Sequence, residues 1–340
     1  MKILYAIQGT GNGHLSRAMD IIPCLQKHGE VDILVSGIQG DLDLPFPITY
    51  QFRGLSFIFG KSGGVNLWKT FAKTNLRKFV KNINDLPIES YNLIINDFEP
   101  VSAWACYFKN IPCISLSHQA AVLAKGHALP EYIDRIGKLI LEHYSPADIK
   151  YGFHFSGDGE TIFTPVIRKQ VREHQVSDEG HYTVYLPSYD DKRLIKQLSV
   201  YKDAKWEVFS KHNKKEYKSK NITIYPIDNN RFTASMAAST GVLCGAGFET
   251  PAEALFLGKK LLVIPMKNQY EQHLNAAALK ALGVQVVKNL KEKSEPVIRG
   301  WMEHGKIISV NYPDITQQII DNIVAKHVNF PYSKEISPVL

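Results

Sequence analysis

Two glycine-bearing turns constrain this chain more than any other feature, one near its start and one in its last third. Ile3 to Ile7 form an apolar run that leads into Gln8-Gly9-Thr10-Gly11-Asn12-Gly13-His14, and Leu15, Ala18, Met19, Ile22 and Leu25 then share one helical face. Val242, Leu243 and Cys244 lead in the same way into Gly245-Ala246-Gly247. Thr250 is placed as an N-cap there, Pro251 as the first helical residue, and Phe248, Ala252, Leu255 and Phe256 as the buried face of a helix that ends at Gly258. A strand that turns through glycine into a helix is the βα unit of a parallel sheet, and such sheets take ligands at the carboxyl ends of their strands. Gly245 and Gly247 tolerate φ > 0 and let a ligand approach the backbone, and the N–H groups of the helix start favour a phosphate. The first turn is no nicotinamide fingerprint, because the third glycine of G-x-G-x-x-G falls on His14.

Between and after these turns, strand and helix patterns alternate. Val31–Ser36, Ile48–Phe52, Tyr91–Asn96, Pro112–Ser117 and Ile149–Phe155 read as strands, with helical periodicity at Leu67–Ile83, Val101–Phe108 and Glu131–His143. Pro23 is expected to kink the first helix or end it early. The polar run Lys169–His181 reads as an interdomain linker. A second series follows at Tyr182–Leu186, Trp206–Phe209, Ile222–Tyr225, Gly241–Cys244, Leu261–Ile264 and Val284–Val287. The fold class predicted is α/β: two Rossmann-like doubly wound parallel-sheet domains, residues 1–165 and 166–312, facing across a cleft. At 340 residues, with 44% apolar and 21% charged, the chain is large enough for both cores. No apolar run is long enough to span a membrane, and Met1 leads straight into a strand, so a cytoplasmic protein without signal peptide or anchor is expected. Cys24, Cys106, Cys113 and Cys244 show no metal-ligand spacing and read as free thiols rather than zinc ligands. A net charge of +7 points to an anionic partner.

Several polar residues stand where chemistry is expected. His14 sits in the first turn of its helix, where the dipole holds an imidazole neutral and able to take a proton; a solvated or capping histidine is the plainer alternative. Asp97 and Glu99, in Asn96-Asp97-Phe98-Glu99-Pro100, resemble a D-x-D metal motif and are candidate catalytic groups, and either equally suits a helix cap before Pro100. His118 and Gln119 close another strand. Thr250 and Glu253 spell a capping box. Asn268-Gln269-Tyr270-Glu271-Gln272 brings amides and a carboxylate suited to sugar hydroxyls, or serves only as a polar helix start.

With both turns considered together, the chain resembles the glycosyltransferases of the B fold, close in pattern to the UDP-N-acetylglucosamine transferases of peptidoglycan synthesis (family 28-like). Cys244, Gly247, Thr250, Glu253, Gly258, Pro265, Gln272, Asn275 and Ala276 fall in that family's order and spacing. The resemblance implies that Glu253 hydrogen-bonds the donor ribose, that Gly245, Gly247 and Thr250 lie at the diphosphate with Ser188 nearby, and that Gln269 and Gln272 contact the sugar. Ile227 and Phe232 stand where the family's loop holds the nucleobase, in a loop that is longer here. In the first half Gly11, Asn12 and Gly13 match the family's glycine loop ahead of His14, although Asn12 replaces a glycine, and His118-Gln119 matches a His-Glu pair in part. Pro187-Ser188-Tyr189 lacks the family's glycines. The family's last helix crosses back, so 313–330 is expected against the first domain.

The implied activity is transfer of a sugar from a nucleoside diphosphate, a UDP-N-acetylhexosamine, to an acceptor hydroxyl on a glycan or lipid-linked envelope precursor. It would proceed with inversion, with His14 or Asp97 as base and with no cofactor or obligatory metal. A UDP-sugar 2-epimerase of the same fold and a non-catalytic nucleotide-sugar-binding protein are the alternatives. Nucleic acid is not an expected partner. Residues 55–83 carry Lys61, Lys69, Lys73, Arg77, Lys78 and Lys81 without an acid, beside Phe57, Ile58 and Phe59. That combination suits an anionic membrane surface, as a peripheral contact of a cytoplasmic protein, and equally the solvated face of a core helix.

Overall fold

The computed structural model describes residues 1–37, 44–53, 76–122, 124, 130 and 134–328. Its first sheet holds β1 (Lys2–Gln8), β2 (Glu30–Ser36), β3 (Tyr50–Phe52), β4 (Leu93–Asp97), β5 (Ile114–Ser117), β6 (Ile149–Phe153) and β7 (Ile162–Phe163). Every pairing in it is parallel, in the order β3-β2-β1-β4-β5-β6-β7. The second sheet holds β8 (His181–Tyr185), β9 (Lys205–Ser210), β10 (Tyr217–Ser219), β11 (Ile222–Pro226), β12 (Gly241–Gly245), β13 (Lys260–Ile264) and β14 (Gln285–Val286). Its order is β10-β11-β9-β8-β12-β13-β14, antiparallel only between β10 and β11.

Both sheets therefore change their direction of growth beside their first strand, at β1/β4 and at β8/β12, which opens a crevice at the carboxyl ends of those strands. Ile3 through Ile7 are wholly buried, as an apolar strand covered by helices on both faces must be. One apolar cluster runs from Ile7 and Leu15 in the first lobe through Phe155 and Phe248 to Val242 and Cys244 in the second, so the lobes share packed surface.

Some local expectations need correction. The helix Asn12–Gln26 runs on through Pro23 instead of ending there. The polar run after Ile167 contains a short helix, Lys169–Arg172, and β8 already begins at His181. The two-residue β7 and the polar edge strand β10 carry too little apolar pattern to be read beforehand. Most of the basic stretch 55–83 lies outside the described residues; its last part belongs to the helix Leu76–Asp85. The four cysteines are free thiols.

The helix Thr316–His327 lies against Asn12–Gln26 in the first lobe. Ile319, Ile320, Ile323 and Val324 enter the shared cluster with Leu15, Ala18 and Ile22, while His28 meets Asp321 at 2.7 Å and Tyr151 meets His327 at 2.9 Å. Ile320 is completely buried. Ile320→Ala is expected to lower stability by about 2–5 kcal/mol in chemical denaturation, as for any core isoleucine whose cavity cannot collapse. A loss within experimental error would mean that the helix is only loosely docked.

Candidate active site

In the first lobe, β1 ends at Gln8 and the chain passes Gly11 at φ 91°, a left-handed conformation that a side chain would strain. The helix then starts at Asn12 and sets His14 and Arg17 one turn apart on one face. On the neighbouring strand β4, Asp97 pairs in register with Ile7. Phe98 follows at φ 58°, an uncommon place for a bulky residue. The strain is held by Asn96, whose amide donates to the Glu99 carbonyl at 2.7 Å and accepts from the Glu99 N–H at 3.0 Å. The turn leaves the Asp97 carboxylate facing His14 and places the Phe98 ring in the cleft wall.

Asp97 is fully buried and carries three charge-assisted contacts from Arg17, two from Nη2 at 2.7 and 2.8 Å and one from Nε at 3.2 Å. His14 Nδ1 lies 2.8 Å from the same carboxylate and so donates to it, which leaves Nε2 as the basic nitrogen. Burial alone would raise the Asp97 pKa; the charges of Arg17 and His14 outweigh it and hold the group below its ordinary value. For His14, burial lowers the pKa, but the Asp97 charge and hydrogen bond more than reverse this, and the imidazole titrates above its usual 6.5.

His14 lines a cavity of about 280 Å³ between the lobes, with Phe98, Gln119, Ile136 and Ile140 on one side and Gln269, Tyr270 and Glu271 on the other. Gln119 Nε2 approaches His14 Nε2 at 3.4 Å and donates to Glu271 at 3.1 Å, where burial raises the carboxyl pKa. Among the described residues, the side-chain oxygens Oε1 of Gln8, Oγ1 of Thr10, Oε1 of Gln119 and Oε1 of Gln269 are buried and without a hydrogen-bond partner. All four residues line the cavity. Orphaned oxygens cost free energy unless a ligand supplies donors, and a polyhydroxylated molecule does.

In the second lobe, the helix after β12 runs Glu249–Phe256, starting two residues earlier than expected. Thr250 is therefore inside the first turn and is no cap, and the helix start has no side-chain cap at all. Glu249 instead reaches across the cleft to hydrogen-bond Arg17 Nη1. A Cβ on Gly13 would stand 2.5 Å from Glu249 Oε2, so any larger residue there would push the Glu249 side chain away from its present position. Gly245 and Gly247 do not adopt positive φ; a Cβ on Gly247 would meet nothing, which leaves open space before the helix start.

Glu253 does not close a capping box either. It is almost fully buried and holds Arg168 in a bidentate pair, Nε at 2.5 Å and Nη2 at 2.7 Å, while Arg168 Nη1 donates to Asn229. Gln272 accepts from the Met266 N–H at 2.8 Å through its Oε1, and its amide nitrogen remains. Phe232 lies in the helix Asn229–Ala238 and packs on Phe209 and Tyr185, so it is a core aromatic and no loop residue; Ile227 sits between β11 and that helix, half-buried. Ser188 lines a different groove of the second lobe.

Glu99 and His118 take structural roles outside the cavity. Glu99 is the N-cap of the helix Pro100–Lys109: it accepts from the N–H groups of Val101 and Ser102 and from the Ser36 and Ser102 hydroxyls. Wholly buried and fully bonded, it is unavailable to a substrate, which corrects its candidacy as a catalytic group. His118 is a joint between the lobes: its ring stacks on Phe248 at 3.8 Å, with Nδ1 2.8 Å from the Phe153 carbonyl and Nε2 2.7 Å from Asn275 Oδ1. Burial pushes its pKa down to about 3.

The sequence matches the family model described as glycosyl transferase family 1 over residues 1–304. The chain belongs to that family. No protein of curated function matches it by sequence. Among solved structures it is similar to Acinetobacter baumannii MurG (13% identity over 95% of this chain and 99% of the other, TM-score 0.57) and to S. aureus MnaA solved with UDP (12%, 98% of each chain, 0.57). Arabidopsis thaliana UGT89C1 complexed with UDP is a third (13%, 96% and 99%, 0.59). At these identities the likeness is one of fold, the two-lobed B fold of glycosyltransferases.

For a family 1 glycosyl transferase, three residues of this cleft were not singled out by sequence: Arg17, Glu249 and Arg168. Arg17 follows His14 by one helical turn, which was the signal available; Glu249 and Arg168 become visible only when the lobes are assembled. Arg17→Met is expected to cost about 3–5 kcal/mol, the penalty for leaving Asp97 buried with only His14 as its partner. Adding Asp97→Asn should restore part of that loss in a double-mutant cycle of unfolding free energies. Strict additivity would mean that the pair is not coupled.

Proposed function

We propose that this family 1 glycosyl transferase moves a sugar from a nucleoside diphosphate, UDP in the first instance, to an acceptor hydroxyl bound under His14. The observation that carries the reading is the His14 Nε2, backed by the buried Asp97–Arg17 pair and facing a cavity ringed by unpartnered oxygens. In the reaction, the acceptor O–H gives its proton to His14 Nε2 and the oxygen bonds the anomeric carbon from the face opposite the diphosphate. The bond to the diphosphate breaks with inversion, and its electrons leave on the phosphate oxygen. Asp97 stabilises the imidazolium that forms.

The donor is assigned to the second lobe, residues 166–312, with its diphosphate at Gly245, Gly247, Thr250 and the start of the helix Glu249–Phe256, which presents free N–H groups to negative charge. Glu253, Arg168 and Asn229 form the polar wall assigned to the nucleoside, near Ile227, and Gln269 and Gln272 are assigned to the sugar. Gly11, Asn12 and Gly13 bound the acceptor side in residues 1–165. The helix start supplies the positive end of its dipole to the leaving diphosphate, so no step calls on a metal or cofactor. The UDP complexes of MnaA and UGT89C1 support the choice of nucleotide, and the sequence resemblance to the UDP-N-acetylglucosamine transferases is what favours an N-acetylhexosamine donor and an envelope acceptor.

A membrane-proximal acceptor is part of the proposal. The helix Leu76–Asp85 exposes Leu76 and Val80 beside Arg77, Lys78 and Lys81, and the helix packed on it, Pro100–Lys109, exposes Tyr107 and Phe108 at 58% and 65%. Aromatic and basic side chains together suit an anionic lipid surface. Among the described residues no helix is long and apolar enough to cross a membrane.

His14→Ala is expected to reduce turnover by roughly 10²–10⁴ with UDP affinity unchanged, since a general base contributes on that scale; full turnover would remove His14 from the mechanism. The base must be neutral, so the wild-type rate should rise with pH through a limb above 6.5, the raised pKa of His14. Asp97→Asn should shift that limb to lower pH. In vesicle sedimentation, binding should grow with anionic lipid, fall with salt and weaken in Tyr107→Ser/Phe108→Ser, whereas a protein that never pellets has a soluble acceptor.

A further inference from the structure

At the carboxyl edge of the second sheet, where β8, β13 and β14 end, a groove of about 890 Å³ is lined by Arg193, Lys267, Lys280, Lys288 and Lys291 and by no acidic side chain. Several cations elsewhere on the described surface are paired with acids. Lys138 pairs with Glu142 at 3.6 Å, Lys169 with Glu173 at 3.7 Å, Arg231 with Glu216 at 2.9 Å and Arg299 with Glu295 at 2.8 Å. Among the described residues, no ion pair engages Arg193, Lys267, Lys288 or Lys291. The acids nearest Arg193 in sequence are turned elsewhere: Asp190 caps its own helix, and Asp191 binds Ser210 and Tyr217. Arg193 itself lies over the Tyr189 ring, 4.3 Å from its centre.

Five like charges gathered in one concavity repel one another, and the unfavourable field is relieved when an anion enters. The groove is concave and of the size that small-ligand sites have, and Ala276, Ala277 and Ala281 give it one smooth apolar wall suited to a ring or chain. Its position is equally informative. Residues 265–267 and His273 border the groove, while Asn268–Glu271 border the cavity under His14. One turn and one helix start thus form a wall common to both.

We propose that this groove binds the anionic part of the acceptor, a saccharide bearing phosphate or carboxylate groups, whose reacting hydroxyl reaches His14 around the 265–271 turn. The assignment to the acceptor rests on the glycosyl transfer reading above; the anion site itself does not.

Calorimetric titration with inorganic tripolyphosphate, at low salt and with UDP already saturating, tests the site. Tripolyphosphate should bind once per chain, and Lys288→Glu/Lys291→Glu should weaken it at least tenfold with UDP affinity unchanged; Lys288→Gln/Lys291→Gln should give a smaller loss in the same direction. Absent binding, binding indifferent to these substitutions, or binding seen only when UDP is left out would overturn the proposal. Tripolyphosphate binding without UDP binding would sink the nucleotide donor and leave the anion site standing. Competition then separates the sources. Displacement of tripolyphosphate by glucose 6-phosphate identifies a phosphorylated acceptor, displacement by an oligouronate identifies an acidic glycan, and displacement by neither refutes a saccharide occupant.

Discussion

The Asp97 carboxylate is wholly removed from water, and the arrangement of the cleft follows from what keeps it ionised. An isolated buried carboxylate would take up a proton, because desolvation in a protein interior costs several kcal/mol per ion. Here the planar guanidinium of Arg17 meets it with three contacts and leaves one oxygen shared with His14. That single pairing fixes the histidine's tautomer, since the nitrogen facing Asp97 must carry the proton. It also fixes the position of Arg17, whose remaining arm engages Glu249 of the other lobe. The strained Phe98 belongs to the same device: without its left-handed turn the strand could not end in a buried carboxylate and still deliver Glu99 as the cap of the next helix.

Much of the architecture could be read from the chain, because the buried strands are nearly continuous apolar runs and the two glycine turns mark where each sheet begins its helices. His14, Asp97 and Gln269 were legible for the same reason, each standing at or just beyond a strand's carboxyl end. What could not be read were choices between equivalent residues. Asp97 and Glu99 both suit a cap before Pro100, and only the side-chain directions imposed by Phe98 decide that Glu99 takes it. Thr250 has the composition of an N-cap, yet the chain enters its helix two residues earlier and leaves the threonine in the first turn. His118 shares its strand-end position with residues that face the cavity, but the ring is captured by Phe248 from the opposite lobe, a contact with no local signature.

The second lobe shows a parallel economy of charge. Glu253 and Arg168 neutralise each other at the base of the crevice, with Asn229 closing the arginine's fork. Bidentate pairing of this kind is geometrically demanding, so it positions the first turn of the helix after β12 relative to the segment that joins the lobes. Unpartnered oxygens face the cavity on the first-lobe side, at Gln8, Thr10 and Gln119, and on the second-lobe side at Gln269. The crevice therefore presents paired charges at its floor and unsatisfied neutral acceptors at its walls, a division suited to holding a polar molecule without competing for its protons.

The crossing of the helix Thr316–His327 onto Asn12–Gln26 has a consequence for biosynthesis. Ile319, Ile320 and Ile323 pack into the shared core beside Leu15, Ala18 and Ile22, residues from the beginning of the chain. On a ribosome the first sheet is made early, but this covering helix emerges only after the whole second sheet, roughly 8–30 seconds later at ordinary elongation rates of about 5–20 residues per second. During that interval Leu15, Ala18 and Ile22 wait partly uncovered. The first lobe thus becomes a finished unit only when nearly all of the chain has been synthesised, which ties the completion of one half of the enzyme to the completion of the other.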